Sequence, residues 1–166
     1  MAKISQKITP FIWFNDNAEE AANFYVSIFK NSKVGHISRY PEAGQEVHGH
    51  KAGSAMVVEF TLEGLNMQGI NGGPQFPQTE AFSLMVSCDT QKEIDFYWEK
   101  LTADGGEESM CGWCKDRFGL NWQVTPSMMY EFYDTDDKEK SARTMSAMMK
   151  MKKLDIATLK KAFEGK

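Results

Sequence analysis

Three clusters in this 166-residue chain combine residue types and spacings that do chemistry in proteins. Cys111-Gly112-Trp113-Cys114 is a C-x-x-C. Such a pair works as a dithiol where a helix N-terminus lowers its thiol pKa, or as half of a zinc site where a second pair completes four ligands. Here it falls within 107–114, which reads as a strand, and strand residues three apart point to opposite faces. Buried structural cysteines are the expectation, with one thiol on a pocket wall as the reactive alternative. His48-Gly49-His50, with Glu42 and Glu46 nearby, is an H-x-H pair able to chelate a metal. It sits in the polar, Gly-rich stretch 41–53, which reads first as a solvated loop able to cover a pocket mouth. His36 stands alone and reads as structural. Asn71-Gly72-Gly73-Pro74 ends in proline and precedes no helix pattern. It therefore lacks the strand, Gly-rich turn and helix that hold nucleotide-type cofactors.

The elements that must position these residues follow from periodicity. Residues 8–14 are rich in β-branched and aromatic side chains and read as a strand. Asn17 with Glu20 has the spacing of a capping box. Ala18, Ala21, Ala22, Tyr25, Ile28 and Phe29 then form one helical stripe. Strands are expected at 34–40, 54–62 and 65–70, the last two joined by the Glu63-Gly64 turn. The pattern then restarts. A strand at 82–88 is followed by Thr90 and Glu93, a second capping box, and by the stripe Ile94, Tyr97, Trp98 and Leu101. Strands at 107–114 and 118–125 complete it. In both halves a strand, an aspartate turn, a helix and a Phe-Tyr pair (Phe24-Tyr25 and Phe96-Tyr97) come in the same order, which indicates duplication. After Pro126 the character changes. Residues 138–151 are rich in helix-forming Met, Ala and Lys, and Asp155 caps a last helix with Ile156, Leu159 and Phe163 on one stripe. Met145, Met148, Met149 and Met151 suit core gap-filling or a dimer seam.

Composition narrows the function. The net charge of -4 argues against nucleic acid as partner. No apolar run approaches the roughly 18–20 residues of a membrane span, and the first residues lack an apolar signal core. Three cysteines make no disulfide framework, so a reducing cytoplasm is expected. The charge is uneven. Residues 138–166 hold nine basic and three acidic residues, a balance of +6, and residues 1–137 hold ten and twenty, a balance of -10. Such a tail is expected to dock on the acidic body or on a partner, or to stay solvated.

The duplicated β-α-β-β-β order resembles the vicinal oxygen chelate superfamily of glyoxalases and bleomycin-resistance proteins. The segments ITPFIWFNDNAEEAANFYVSIF, MVVEFTLEGLNMQGINGGP, CGWCKDRFGLNWQVTP and MMKMKKLDIATLKKAF are similar to its PhnB-like branch, labelled 3-demethylubiquinone-9 3-methyltransferase-like. The resemblance implies an α+β fold of tandem βαβββ modules, 1–74 and 80–126, forming a glyoxalase-like domain over 1–137, with a helical tail at 138–166. It also implies a homodimer. Metal-dependent members of the superfamily hold a divalent ion with His and Glu from the first and last strand of each module. The matching positions here are Thr9 or Pro10, Gln68, Phe82 or Ser83, and Gln123. Neutral amides replace carboxylates, so no metal is expected at that site.

Strand alternation fills in the wall of the implied cavity. With Thr9 facing in, Phe11 and Trp13 join it. Asn66 and Ile70 accompany Gln68, and Asn121 and Thr125 accompany Gln123, leaving Leu120, Trp122 and Val124 for the helices. The candidate ligand-binding set is Thr9, Phe11, Trp13, Asn66, Gln68, Trp113, Asn121 and Gln123. Amides orient a small organic ligand and aromatics stack on it. Binding of such a ligand, with conversion as a possible extension, no cofactor and no catalytic residue assigned, is the leading expectation. The alternatives are a metalloenzyme using His48, His50, Glu42 or Glu46, and an interaction protein working through its tail. Nothing in the residues supports binding of S-adenosylmethionine, so methyl transfer is not expected despite the family label.

Overall fold

The computed structural model describes residues 6–166. Residues 1–5, part of the segment read as lacking a signal core, lie outside the described residues. The chain divides into two compact units, 1–77 and 78–166. Each carries a four-stranded mixed sheet with a helix on one face.

The first unit runs β1 (Phe11–Phe14), α1 (Ala18–Ile28), β2 (Lys33–Arg39), α2 (Gln45–His48), β3 (Ala55–Leu62) and β4 (Leu65–Asn71). Its sheet order is β1-β4-β3-β2, with β1 parallel to β4 and the other pairs antiparallel. The apolar stripe of α1 buries Ala18, Ala21, Ala22, Tyr25 and Ile28 over the alternate strand residues Ile12, Phe14, Val58, Phe60 and Met67. Gly69 permits the close fit, because a Cβ there would stand 2.9 Å from the Phe14 ring. The Asn17–Glu20 capping box does not form, as Asn17 makes no side-chain cap. Asn71, buried at the end of β4, substitutes for it. Its Oδ1 accepts from Ala18 N–H at 2.8 Å and its Nδ2 donates to Ala55 O at 3.1 Å. The loop at 41–53 also holds the one-turn helix α2.

The second unit runs β5 (Ser83–Cys88), α3 (Gln91–Thr102), β6 (Glu107–Glu108), β7 (Trp113–Lys115), β8 (Asn121–Pro126), α4 (Met129–Tyr133), α5 (Lys138–Met148) and α6 (Ile156–Glu164). Its sheet order, β5-β8-β7-β6, repeats the connectivity of the first. Here the capping box does form: Thr90 and Glu93 satisfy each other's backbone N–H groups. The expected strand at 107–114 is two short strands separated by a reversal at 109–112. Cys111 (φ 61°) and Gly112 (φ 83°) both adopt left-handed backbone there, so the chain turns where strand propensity would extend it.

The tail is part of this second unit. Met129, Phe132, Leu154 and Leu159 form a buried cluster with Met148, Met151 and Phe163 packed on it. Main chain from the tail holds the 109–112 reversal: Cys111 N–H donates to Met151 O at 2.7 Å and Gly112 N–H to Lys152 O at 2.8 Å. Lys152 reaches Glu108 at 3.4 Å and Lys153 reaches Asp95 at 2.6 Å. Of the destinations open to a basic tail, the structure shows its own acidic body. Met148 and Met151 fill this core, whereas Met145 and Met149 are exposed. Leu154→Ala, which empties a buried site touching Gly112, is expected to destabilise the protein by about 2–4 kcal/mol in urea unfolding. Met149→Ala, at an exposed position, is expected to change stability by less than about 0.5 kcal/mol.

Candidate functional site

In each unit the helix covers one face of the sheet, and the alternate strand residues emerge on the other. The two-residue turn Glu63-Gly64, both with positive φ, sets the β3–β4 register so that Leu62 faces Leu65 and Glu59 faces Gln68. Phe11 lies on the other side of Gln68. One row across the open face is therefore Phe11, Gln68, Glu59. The next contains Trp13, Ile70 and Val57. Phe11 is 54% exposed, although aromatic. Asn66 faces Thr61 and accepts its hydroxyl at 2.9 Å. Thr9 precedes β1 and is half-buried.

Trp13 is seated by the glycine-rich turn. Its Nε1 donates to Gly73 O at 2.8 Å, and Phe76 meets its ring edge-on at 4.9 Å. A Cβ on Gly72 would stand 2.1 Å from the indole. Those glycines hold an aromatic ring against the backbone.

The second unit has the matching rows. Met85, Gln123 and Trp113 lie side by side, as do Ser83, Asn121, Lys115 and Glu107. Gln123 Nε2 donates to Ser83 Oγ at 2.9 Å. Met85 is 47% exposed. Trp122 and Val124 are buried, while Gln123 and Thr125 are half-buried. A cleft of about 480 Å³ opens beside this face, lined by residues that include Trp113, Asn121, Lys115, Glu107 and Cys111.

Of the sequence-expected residues, the structure brings Phe11 against Gln68 in the first unit. In the second it joins Trp113 with Gln123, and places Trp113 with Asn121 in the cleft. Glu59 was missed. Its signal was available, because a two-residue hairpin turn at Glu63-Gly64 already pairs residue 59 with 68.

Asp116 anchors the β7–β8 turn. It is 2% exposed, and its carboxylate accepts from Phe118 N–H at 2.8 Å, Leu120 N–H at 3.1 Å and Trp122 Nε1 at 2.7 Å. Gly119 supplies the left-handed backbone of the turn, at φ 87°.

The C-x-x-C pair is split between environments. Burial pushes the thiols of Cys114 and Cys88 up to about 12, helped by the charges of Asp116 and Glu108 for Cys114 and of Glu93 and Asp89 for Cys88. Both stay protonated, poor nucleophiles and poor ligands. Cys111 lies in the left-handed turn, half-buried at the cleft.

The His48-Gly49-His50 pair does not present a chelate. Both rings stack on Tyr40, at centroid distances of 4.6 and 4.3 Å. His48 Nδ1 accepts from His50 N–H at 3.1 Å, and Tyr40 OH donates to Asn71 O. Among the described residues no group of three or more His, Cys, Asp or Glu is placed to hold a metal ion. The positions matching superfamily metal ligands, Thr9 or Pro10 with Gln68 in the first unit and Phe82 or Ser83 with Gln123 in the second, carry no charged side-chain oxygen, and Gln123 and Ser83 bond each other. That donor set does not fit a divalent ion.

A family model described as 3-demethylubiquinone-9 3-methyltransferase matches residues 6–125. The chain belongs to this family. Among solved structures, the PhnB protein from Bacillus cereus is 38% identical, with a TM-score of 0.64 over 73% of this chain and 99% of that one. A protein from Pseudomonas aeruginosa is 20% identical, with a TM-score of 0.58 over 74% and 98%. The genomically encoded fosfomycin resistance protein FosX from Listeria monocytogenes is 18% identical, with a TM-score of 0.52 over 80% and 100%. The last two likenesses speak to the fold alone. PhnB and FosX belong to the vicinal oxygen chelate superfamily, whose α+β architecture this chain shares. A comparison with curated proteins found no match. Among the described residues no helix is long and apolar enough to cross a membrane.

The thiol environments predict that native protein exposes Cys111 alone to Ellman's reagent near neutral pH, and that all three cysteines react after denaturation. Asp116→Ala removes the acceptor that three donors share, two of those bonds being buried. It is expected to cost at least about 3 kcal/mol of stability, with Asp116→Asn costing less, both read by urea unfolding followed through tryptophan fluorescence.

Proposed function

We propose that this chain binds a small organic molecule on the open, amide- and aromatic-bearing faces of its sheets, without a divalent metal. The observation that carries the reading is the matched placement of Gln68 and Gln123. Each lies on an open face beside an exposed apolar residue, Phe11 in one unit and Met85 in the other. A neutral amide flanked by exposed apolar surface both donates and accepts, and suits an uncharged or singly charged organic group better than a bare cation. Thr9, Trp13 and Asn66 extend the set in the first unit, and Trp113 and Asn121 in the second. Glu59, beside Gln68, adds the carboxylate from which conversion of the ligand would start.

The methyl transfer in the family's description draws no support from the turn at 71–74. Its glycines are occupied in seating Trp13. The homodimer and the cytoplasmic location expected from the sequence stay part of this proposal.

Elemental analysis of protein purified without added metal tests the reading. Well under one divalent ion per chain is expected. Stoichiometric zinc, nickel or manganese that disappears in Gln68→Ala would overturn it.

A further inference from the structure

One wall of the second unit's cleft is the 109–112 reversal, where Ser109, Met110 and Cys111, followed by Trp113 and Cys114, line it. That wall does not hold itself. Left-handed backbone at Cys111 is unfavourable for an L side chain. The N–H groups of Cys111 and Gly112 find their acceptors on the tail, at Met151 O and Lys152 O.

The stretch that supplies those carbonyls, 151–155, is neither helix nor strand, so its backbone groups need partners from elsewhere. At its far end the partner is Gln91, the first residue of α3. Gln91 Nε2 donates to Leu154 O at 3.1 Å, and its Oε1 accepts from Ile156 N–H at 2.9 Å. A further bond from Nε2 to Asp95 Oδ1 at 3.2 Å orients the amide, and Asp95 also receives Lys153 at 2.6 Å. Between the two clamps Leu154 is 1% exposed, and a Cβ on Gly112 would stand 3.0 Å from it. Gln91 does not line the cleft and makes no bond to the reversal among the described residues.

Each clamp depends on the other. Once 151–156 lifts, Cys111 and Gly112 lose both acceptors, and the left-handed pair relaxes toward the extended backbone that 107–114 favours. Once the reversal relaxes, Met151 O and Lys152 O lose their donors and Leu154 its cover. Groups tied in this way open as one cooperative unit. We propose that residues 109–112 and 151–156 open and close together as a gate on this cleft, with Gln91 the positioning residue that latches it from outside the wall. The gate's bearing on ligand entry rests on the small-molecule reading above. Its test uses no ligand, so failure there leaves that reading to the metal analysis.

Full-length protein and Gln91→Ala are pulse-labelled with N-ethylmaleimide, and modification of each cysteine is followed by peptide mass mapping. The substitution keeps the Thr90–Glu93 capping box of α3. Cys114, at the wall, and Cys88, in β5 two strands from β7, are each 1% exposed with thiols pushed up to about 12. Cys88 therefore reports opening of the unit as a whole, and Cys114 reports the gate in addition. Gln91→Ala is expected to speed Cys114 labelling about tenfold and to leave Cys88 within about twofold. In hydrogen exchange the amides of Cys111 and Gly112, neither bonded to Gln91, are expected to lose protection by the same factor. Leu101→Val, at a buried position in the last turn of α3, is expected to speed both cysteines equally. Equal acceleration of Cys88 and Cys114 in Gln91→Ala, or no acceleration of Cys114, would overturn the gate. So would loss of protection at Ile156 with none at Cys111 and Gly112.

Discussion

A carboxylate removed from water is tolerable only when its oxygens are hydrogen-bonded, since an unpaired buried charge costs several kcal/mol. Asp116 meets that condition with two backbone N–H groups and the indole of Trp122. Satisfying it fixes three things together. The β7–β8 turn closes in one conformation around Gly119. Trp122 is pinned on the covered face. By the two-residue period of a strand, Asn121 and Gln123 are then sent to the open face. The signature segment at 111–126 is in this sense a structural device. The chemistry-bearing side chains are placed by the turn that Asp116 holds together.

The same segment needs support from outside itself. Left-handed backbone at a non-glycine residue such as Cys111 costs roughly 1–2 kcal/mol, and Gly112 approaches Val124 O and Leu154 too closely for a Cβ. Both N–H groups of this strained pair donate to carbonyls of the tail. The tail's backbone carbonyls and the Leu154 side chain therefore act on one element, the reversal that begins β7, while its lysines reach Glu108 in β6 and Asp95 in α3. Two of the nine basic residues at 138–166, Lys152 and Lys153, are answered by carboxylates of the body, Glu108 and Asp95.

The two units meet the same geometric demand by different means. The second caps its helix locally, with Thr90 and Glu93. The first caps α1 from a distance with Asn71, whose carbonyl also receives the Tyr40 hydroxyl under the stacked His48 and His50 rings. Loop 41–53 is thereby tied to the start of α1. At matching ladder positions one unit carries Glu59 and the other Trp113, so the open faces differ in charge although their backbones repeat.

By itself the sequence determined the elements and their faces. Alternation in 54–62 and 118–125, the stripe from Ala18 to Ile28 and the Thr90 cap depend on residues within a turn or a strand of each other, and such interactions are readable locally. The hairpin turn at Glu63-Gly64 carried the register that places Glu59 beside Gln68. Tertiary structure decided the rest. Asn17 has the right type and spacing for a cap, yet the bond goes to Asn71, 53 residues from Ala18. Residues 107–114 have strand propensity, yet they reverse because backbone carbonyls at 151 and 152, some 40 positions away, hold Cys111 and Gly112 in left-handed conformations. Cleft shape and residual hydrogen-bonding capacity depend on which groups have already found partners across such distances.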